Sequence, residues 1–371
     1  MIIGIPKEIK KNEYRVSLVP SDVASLVNDG NRVLVEHSAG LGSGFSDDNY
    51  KKAGAEMADR QAVYSQCDML CKVKEIEETE HAMLRPGQIV MTYLHSNAHL
   101  DMTNFLLEND ITGIAYEDID DPEGKFPLLS PMSIFAGKGG FIAALQYSQS
   151  IHGGPGKMLC NITGVEMPHI TILGAGYSGL AAAELACGFG NQVSILDIDM
   201  KALDAARTKL PPNAEFLMSN RSNILQCLEK TDVFINCILW PKTRKDHLVY
   251  RDDLKRMKPS ALIVDVSCDE AGAIETSRST THDDSIYEVD GIRHYAVDNI
   301  PAAFANSASQ LLSLTIVPYV RKIAQQGVQD ALINDQYLRR GLTTYQGKLT
   351  LAETARKYHM TFVDPVDALS S

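Results

Sequence analysis

The chain has 371 residues, of which 44% are hydrophobic and 22% are charged, a composition typical of soluble globular proteins with two or three domains. Its longest apolar runs are too short to span a bilayer, and its first charged residue follows an apolar stretch, which is the reverse of a signal peptide. The formal net charge of −12 argues against a nucleic-acid partner, because an acidic surface repels phosphate backbones.

The seven cysteines form no disulfide pattern. An odd number spread over a long chain indicates reduced thiols, and therefore a cytoplasmic protein. Cys67 and Cys71 are four residues apart, but no pair of Cys or His with metal-ligand spacing accompanies them. We expect two core thiols there and no metal site.

Strand patterns alternate with helix patterns along the chain, which indicates an α/β fold with parallel sheets built from βαβ units. Pro20-Ser21-Asp22 is predicted to open a helix that runs to about Asn28, with Ser21 as its N-cap. The strands are predicted at 1–5, 32–36, 69–73, 89–94, 169–173, 192–196, 233–238 and 261–266. The main helices are predicted at 20–28, 131–150, 180–188 and 307–325.

A glycine-rich motif, Gly174-Ala175-Gly176-Tyr177-Ser178-Gly179, lies directly between the predicted strand 169–173 and an Ala-rich helix. In this context the motif is typical of a dinucleotide-binding turn. Gly174 allows the tight turn, Gly176 lets the backbone approach a pyrophosphate, and Gly179 lets the helix pack close to the strand. The pyrophosphate is then bound at the helix N-terminus, where free N–H groups favour negative charge.

Asp197 lies 23 positions after Gly174, at the end of the next predicted strand. An acid at about this spacing accepts hydrogen bonds from the ribose hydroxyls of NAD and repels the 2′-phosphate of NADP. No arginine follows it at 198–200, although Lys201 is near. We therefore predict NAD as the cofactor. The nucleotide domain is predicted at 128–306, inserted into a first domain of residues 1–127 and 307–371.

Three polar residues of the first domain lie at positions suited to substrate binding. Arg15 precedes a predicted helix, while Lys74 and His95 each end a predicted strand. Ligands of parallel sheets bind at the carboxyl ends of the strands. Two cations with a titratable imidazole suit a small carboxylate substrate. Taken alone, Arg15 is better explained as a surface charge, Lys74 as a solvated strand end and His95 as a surface histidine.

These residues and the motifs around them resemble the family of alanine dehydrogenase and the NAD(P)-binding subunit of proton-translocating transhydrogenase. The resemblance covers nearly the whole chain, in order. The matching motifs are Gly4-Ile5-Pro6-Lys7-Glu8 through Arg15 to Pro20, Ala39-Gly40-Leu41-Gly42-Ser43, Lys72-Val73-Lys74-Glu75, Leu94-His95, Tyr116-Glu117, Pro127-Leu128-Leu129-Ser130-Pro131-Met132-Ser133, the glycine motif, Val264-Asp265-Val266-Ser267-Cys268-Asp269 and Asn299-Ile300-Pro301.

The resemblance implies two Rossmann-like, doubly wound α/β domains flanking an active-site cleft. It also implies that Arg15 and Lys74 hold the carboxylate and the carbonyl or amine end of the substrate, while His95 is a general acid/base. The imidazole can shuttle protons near neutral pH if its pKa stays near the reference of about 6.5. Asp269, on the same grounds, orients or activates water and ammonia, and would raise the pKa of His95 if the two are close.

On the cofactor side, the resemblance implies that Ser133 contacts the dinucleotide and that Asn299 lies near the nicotinamide. The expected activity is the reversible, NAD-dependent oxidative deamination of a small L-amino acid, with alanine, pyruvate and ammonia as the leading reactants. The enzyme is expected to be a cytoplasmic homo-oligomer, a hexamer or a dimer, with neither a membrane nor a nucleic acid as partner.

The chain departs from the family pattern at Ile76, Ile134, Lys138 and Asp298. An acid at 298 resembles saccharopine-type and opine-type dehydrogenases, which join an amino acid to a keto acid through a secondary amine. Asp298 could then bind the amine of the second substrate, or simply cap a turn before Pro301. Reductive condensation therefore remains an alternative. A transhydrogenase subunit and a non-catalytic NAD-binding module are further alternatives, and the presence of Arg15, Lys74 and His95 argues against both.

Overall fold

A computed structural model of the protein describes residues 1–241, 244–268 and 271–370. The chain divides into two units, one formed by Met1–Met132 with Ala305–Ser371 and the other by Ser133–Phe304. The sequence predicts the domain boundaries after residues 127 and 306, a few residues from these positions. Each unit is built on one mainly parallel sheet with helices between its strands, which confirms the predicted α/β fold class.

The described residues form strands and helices that alternate through most of the chain. The strands are β1 (Ile2–Ile5), β2 (Arg32–Glu36), β3 (Glu56–Ala58), β4 (Met69–Cys71), β5 (Ile89–Thr92), β6 (Thr112–Ala115), β7 (His169–Leu173), β8 (Gln192–Asp197), β9 (Ala214–Met218), β10 (Val233–Asn236), β11 (Leu262–Asp265), β12 (Ile286–Val289), β13 (Ile292–Tyr295), β14 (Leu342–Tyr345) and β15 (Lys348–Leu349). The helices are α1 (Pro20–Asn28), α2 (Asp47–Lys52), α3 (Arg60–Gln66), α4 (Glu78–His81), α5 (Leu100–Glu108), α6 (Ser130–Tyr147), α7 (Tyr177–Gly188), α8 (Met200–Lys209), α9 (Arg221–Lys230), α10 (Ala305–Gln326), α11 (Val328–Asn334), α12 (Gln336–Arg340), α13 (Ala352–Tyr358) and α14 (Pro365–Ser370).

The sheet of the first unit has eight strands in the order β15-β14-β6-β5-β4-β1-β2-β3. The six strands from β6 to β3 are parallel, and β14 and β15 add an antiparallel edge. The central strands β4 and β5 are buried along their whole length. Their sequences are accordingly continuous apolar runs, which is the pattern of parallel strands covered on both faces.

The sheet of the second unit has seven strands in the order β12-β13-β11-β10-β7-β8-β9. All pairs are parallel except β12 with β13. In each unit the chain builds two strands on one side of its first strand and then crosses to the other side. The order therefore reverses between β1 and β4 in one sheet, and between β7 and β10 in the other. Ligands of open α/β sheets bind beyond the carboxyl ends of the strands at such a reversal.

Most of the predicted elements are present, with small shifts at their ends. The Ser21 N-cap is wrong, because α1 begins at Pro20 and Val19 occupies the N-cap without a side-chain hydrogen bond. Proline suits the first helical position, since its fixed φ fits the helix and it has no N–H to leave unpaired. Cys67 and Cys71 are both fully buried, as predicted for core thiols.

Within the described residues, one helical stretch, Ile300–Gln326, has the length and apolar composition to cross a membrane, and half of its most apolar window is buried within the protein. The side chains of Leu312, Ile316 and Val320 are fully buried at a spacing of four residues. This spacing is typical of the core-facing stripe of a helix in a globular domain.

A buried ionic cluster lies where the strand order of the first sheet reverses. The ammonium of Lys72, which follows β4, lies 2.7 Å from Glu80 Oε1 and 3.4 Å from Glu8 Oε2. The Tyr64 hydroxyl also donates to Glu80. Burial alone would lower the pKa of Lys72, but Glu8 and Glu80 raise it above its ordinary value, so Lys72 is charged. The cluster ties the chain after β1 to the chain after β4.

Lys72→Met should therefore destabilise the fold, because it leaves buried carboxylates without their cation. Breaking a buried pair on one side costs about 3–5 kcal/mol. Chemical denaturation measures the loss, and Lys51→Met serves as the control, because Lys51 forms only an exposed pair with Asp48. A Lys72→Met protein as stable as the control would contradict this assignment.

Candidate functional site

The three residues predicted to bind substrate lie beyond the carboxyl ends of neighbouring strands in the first unit. Arg15 follows β1, Lys74 follows β4 and His95 follows β5, and these strands are adjacent in the sheet in that order. Arg15 and Lys74 are buried, whereas the His95 side chain is 40% exposed. The fold thus brings all three residues to the carboxyl-terminal side of one sheet, near the point where the strand order reverses.

The guanidinium of Arg15 is held by Glu13, whose importance the sequence did not reveal. Nε of Arg15 donates to Glu13 Oε1 over 2.7 Å, and Nη2 donates to Oε2 over 2.5 Å. Nη1 lies 3.3 Å from the Met132 sulfur. Burial alone would lower the pKa of Arg15, but Glu13 raises it. Glu13 therefore fixes the orientation of the buried guanidinium.

The backbone around Arg15 is fixed by helix α10, which follows it by almost 300 residues. The N–H groups of Val16 and Val19 donate over 2.9 Å to the hydroxyls of Ser309 and Ser313 respectively. Residues 15–19 are all buried, and buried N–H groups need such acceptors. Two serines one helical turn apart therefore set the path of the segment that presents Arg15.

Lys74 is accompanied by an ionised carboxylate on the next residue. Lys10 pairs with Glu75 Oε1 at 2.5 Å, and His99 Nε2 lies 3.9 Å from the same oxygen. Burial alone would raise the pKa of Glu75, but Lys74 and Lys10 lower it to about 2. Glu75 thus partly balances the positive charge that Lys74 and Lys10 bring to this edge.

The pKa of His95 does not stay near its reference value in the free protein. Burial of the ring and the neighbouring positive charge of Lys74 lower the pKa of His95 to about 4, although Glu75 opposes the shift. The imidazole is therefore neutral at neutral pH and is ready to accept a proton. A bound substrate carboxylate would offset the charge of Lys74 and move the pKa of His95 upward.

The sequence also missed the part played by Glu117, although this residue lies in one of the motifs that carry the family resemblance. Glu117 Oε1 accepts the His95 N–H over 2.5 Å, and Oε2 accepts the Leu94 N–H over 3.3 Å. His95 has a φ of +46°, a conformation that non-glycine residues seldom adopt. The Glu117 carboxyl group stabilises this turn.

The glycine motif of the second unit has the geometry of a dinucleotide-binding turn. Gly174 has a φ of +103°, and a Cβ on Gly179 would lie 1.9 Å from the Gly174 carbonyl oxygen, so both positions require glycine. A Cβ on Gly176 would meet no atom within 4 Å, which leaves space beside this backbone. Helix α7 starts here without a side-chain cap, so its first N–H groups are available to an anion.

Asp197 ends β8 beside this turn. Its Oδ2 accepts the Ala175 N–H over 2.6 Å, and its Oδ1 accepts the Asp199 N–H over 2.9 Å. The carboxylate therefore helps to hold the glycine turn in shape while it stays partly exposed. Its place at the end of the second strand of the unit is the one expected of a ribose-binding acid.

Helix α6 packs closely against this turn within the second unit. The carbonyl of Ser133 accepts a hydrogen bond from the Ser178 hydroxyl over 2.9 Å. A Cβ on Gly137 would lie 1.9 Å from the Ser178 oxygen, so only glycine permits this approach. Ser133, predicted to contact a cofactor, therefore lies beside the turn at 174–179.

Asp298 and Asn299 lie in the segment that follows β13. Asn299 has a φ of +79°, and its carbonyl accepts hydrogen bonds from the Ala302 N–H and from His282 Nε2. Asp298 is exposed, and its N–H donates to the Thr280 carbonyl. Asp269 lies outside the described residues.

The chain matches the family "Alanine dehydrogenase/PNT, N-terminal domain" over residues 4–136 and "Alanine dehydrogenase/PNT, C-terminal domain" over residues 140–352. It is 40% identical over 370 residues to the alanine dehydrogenase of Staphylococcus saprophyticus and 39% identical over 372 residues to that of Methanococcus maripaludis, with full coverage of both proteins in each case.

Solved structures agree with these relatives. An L-alanine dehydrogenase structure superposes with a TM-score of 0.93 at 37% identity, covering 97% of this chain and 99% of the other. The transhydrogenase of Sinorhizobium meliloti superposes with a TM-score of 0.81 at 24% identity, covering 95% and 99%, and so shares the fold.

The fold and the glycine turn thus define an α/β protein with two open, doubly wound units. This chain belongs to the alanine dehydrogenase/PNT family, which confirms the resemblance found in its sequence.

Two glycine variants should separate packing from binding at the turn. Gly179→Ala places a methyl group against the Gly174 carbonyl, and we expect it to destabilise the fold by about 3 kcal/mol. Gly176→Ala meets open space and should leave stability nearly unchanged, yet weaken NADH binding at least tenfold. Thermal unfolding and NADH fluorescence titration measure the two effects. Tight NADH binding by Gly176→Ala would show that the cofactor does not approach this backbone.

Proposed function

We propose that this protein is an NAD-dependent alanine dehydrogenase, which oxidises L-alanine to pyruvate and ammonia and catalyses the reverse reaction. The observation that carries the proposal is its similarity, over the full length of both chains, to alanine dehydrogenases at about 40% identity. The presence of Arg15, Lys74 and His95 at one sheet edge supports a substrate site in the first unit and argues against a non-catalytic module.

The substrate carboxylate is bound by the two buried cations, Arg15 and Lys74. The guanidinium of Arg15 does not have to be ordered when the substrate binds, since Glu13 already holds it. Charge-assisted hydrogen bonds of this kind are stronger than neutral ones. Because Glu13 and Glu75 compensate much of the positive charge, the site suits a small zwitterion or monoanion rather than a dicarboxylate.

His95 acts as the general base in deamination and as the general acid in the reverse direction. A neutral imidazole accepts the proton that the substrate ammonium must lose before its nitrogen can form the imine. Burial of the ring and the charge of Lys74 stabilise this neutral form in the free protein. Once the substrate carboxylate is bound, the pKa of His95 moves closer to neutrality, where proton transfer is most efficient.

The residues of the second unit fit NAD. Gly174, Gly176 and Gly179 shape the turn for the pyrophosphate, Asp197 accepts the ribose hydroxyls, and Ser133 and Asn299 make further contacts to the cofactor. NAD⁺ supplies a hydride acceptor when bound. The carboxylate of Asp197 favours NAD over NADP, because a 2′-phosphate would bring a second negative charge next to it.

Asp269 is proposed to orient or activate the water and ammonia that exchange at the imine, as the family resemblance implies. We further propose that the enzyme is a cytoplasmic homo-oligomer, a hexamer or a dimer, without a membrane or nucleic-acid partner. Reductive condensation of an amino acid with a keto acid remains the second candidate, because Asp298 is exposed and could meet the amine of a larger substrate.

The assay that decides between these two functions follows NADH oxidation by pyruvate with ammonia, and then by pyruvate with a panel of amino acids. We expect turnover with ammonia, and much lower turnover when NADPH replaces NADH. Asp298→Ala should change this rate less than threefold. Turnover with an amino acid alone would favour condensation, and Asp298→Ala should then lower efficiency 10- to 150-fold through the loss of a charge-assisted bond of about 1.5–3 kcal/mol.

Two variants test the roles of the first unit. His95→Ala should lower turnover by roughly 10² to 10⁴ while NADH still binds, because only proton transfer is lost. Arg15→Lys should mainly raise the KM for pyruvate, because lysine cannot reproduce the planar guanidinium. His37→Ala is the control for the first change, since His37 is an exposed histidine of the same unit. Near-native turnover by His95→Ala would rule out the acid/base role.

A further inference from the structure

The loop that presents His95 is one compact turn. It covers residues 95–99, between β5 and α5. The Ala98 N–H donates to the His95 carbonyl over 2.7 Å, and the His99 N–H donates to the Ser96 carbonyl over 3.3 Å. Because these hydrogen bonds link the first residues of the loop to the last, a displacement of Ser96 or Asn97 also displaces His95.

The backbone of His95 needs support from its surroundings. Its φ of +46° is one that non-glycine residues seldom adopt, and such a conformation persists only where neighbouring contacts enforce it. The imidazole must also be placed accurately, since a displacement of about 1 Å can slow a reaction roughly 100-fold. The contacts that fix the loop therefore bear on the rate of proton transfer.

Helix α13, from the far end of the chain, contacts two consecutive residues of this loop. Thr354 Oγ1 lies 2.7 Å from Ser96 Oγ, and both residues are buried. The Tyr358 hydroxyl donates to the Asn97 carbonyl over 2.8 Å, and the Lys357 ammonium donates to the same carbonyl. Thr354 and Tyr358 are four residues apart, so they lie on the same face of the helix.

Other elements contact the loop at different atoms. The Thr103 hydroxyl of α5 lies 3.2 Å from the Ser96 carbonyl, and Glu117 accepts the His95 N–H. Neither of them reaches the Ser96 hydroxyl or the Asn97 carbonyl. At those two atoms the described side-chain contacts come from α13.

We propose that Thr354 and Tyr358 are positioning residues for His95, which hold the loop at 95–99 so that the imidazole lies at the substrate nitrogen. The proposal rests on the proposed acid/base role of His95. Neither residue bonds to the substrate, and both act through the loop. Since Arg15 and Lys74 belong to other segments, loosening the loop should lower kcat without weakening the binding of the substrate carboxylate.

The kinetic test uses a matched pair of variants at one position. Valine keeps the shape of Thr354 without its hydroxyl, whereas serine keeps the hydroxyl. We expect Thr354→Val to lower kcat for alanine oxidation roughly 5- to 20-fold, while the KM for alanine and the affinity for NADH stay within about twofold. Thr354→Ser should keep kcat within about twofold of the native value.

Thr350→Val is the control for a general loss of stability. The Thr350 hydroxyl is also buried, but it donates over 2.9 Å to the Leu342 carbonyl, away from the loop. This variant should lose thermal stability about as much as Thr354→Val and keep its kcat. A native kcat in Thr354→Val, or a Thr354→Ser protein as slow as Thr354→Val, would overturn the role of the Thr354 hydroxyl.

A second variant keeps the proposal testable if Thr354→Val does not fold. Lys357→Met combined with Tyr358→Phe removes both donors from the Asn97 carbonyl, and these contacts lie at the surface. We expect kcat to fall roughly 3- to 10-fold, again with little change in the KM for alanine. A native kcat in this double variant would overturn the role of Tyr358.

Hydrogen exchange measures the loop itself and requires no turnover. Peptides that cover residues 93–100 should exchange faster in Thr354→Val than in the native protein or in Thr350→Val. Equal exchange in all three proteins would overturn the proposal. If the native protein oxidises no alanine with NAD, the proposed function is wrong, whereas faster exchange in Thr354→Val would still show that α13 holds the loop.

Discussion

The first unit depends on a buried, irregular segment whose backbone must find hydrogen-bond partners outside any sheet or helix. Between β1 and α1 the chain has no regular structure, yet residues 15–19 are fully buried. An unpaired buried N–H costs as much as a lost hydrogen bond. Side chains therefore serve as the acceptors: Glu13 for Arg15, Ser309 for Val16 and Ser313 for Val19. Because these partners allow only one path, Arg15 is already in place before any ligand arrives.

Several buried charges of the same unit lie in compensated groups. Lys72 lies between two carboxylates, Arg15 is paired with Glu13, and Glu75 accompanies Lys74 and Lys10. An isolated buried charge would be neutralised or would unfold the region. This arrangement keeps cations at the carboxyl ends of the strands, where an anionic substrate can bind. Burial together with the neighbouring cation Lys74 lowers the pKa of His95. The same buried ion pairs therefore stabilise the fold and set the charges near the candidate site.

In the second unit, the main feature is that segments of backbone pack very close to one another. Its glycines at 137, 174 and 179 lie where a Cβ would collide or where φ is positive, whereas the glycine at 176 faces open space. The first three positions are explained by the fold alone. The last one has no packing reason to be glycine, which is why it is the best indicator of a ligand among the four. Uncapped N–H groups at the start of α7 lie next to it.

The local sequence determined the strands and helices and the positions of the candidate functional residues. Continuous apolar runs specified the buried parallel strands, because both faces of such strands are covered. The glycine spacing specified the turn before α7, because only glycine fits there. The positions of Lys74 and His95 at strand ends followed from the chain order alone. Motifs spread over nearly the whole chain were sufficient to identify the family, because each of them is local.

Tertiary structure decided what depends on contacts between distant residues. The pKa of His95 follows from burial and from Lys74, more than twenty positions away, so the sequence could state the condition of an ordinary value but could not test it. The contact between Glu117 and His95 exists because β5 and β6 pair. The hydrogen bonds from the N–H groups of Val16 and Val19 to Ser309 and Ser313 join residues almost 300 positions apart. Hydrogen bonding, desolvation and Coulomb forces all depend on distance in space, and sequence spacing does not contain that distance until the chain has folded.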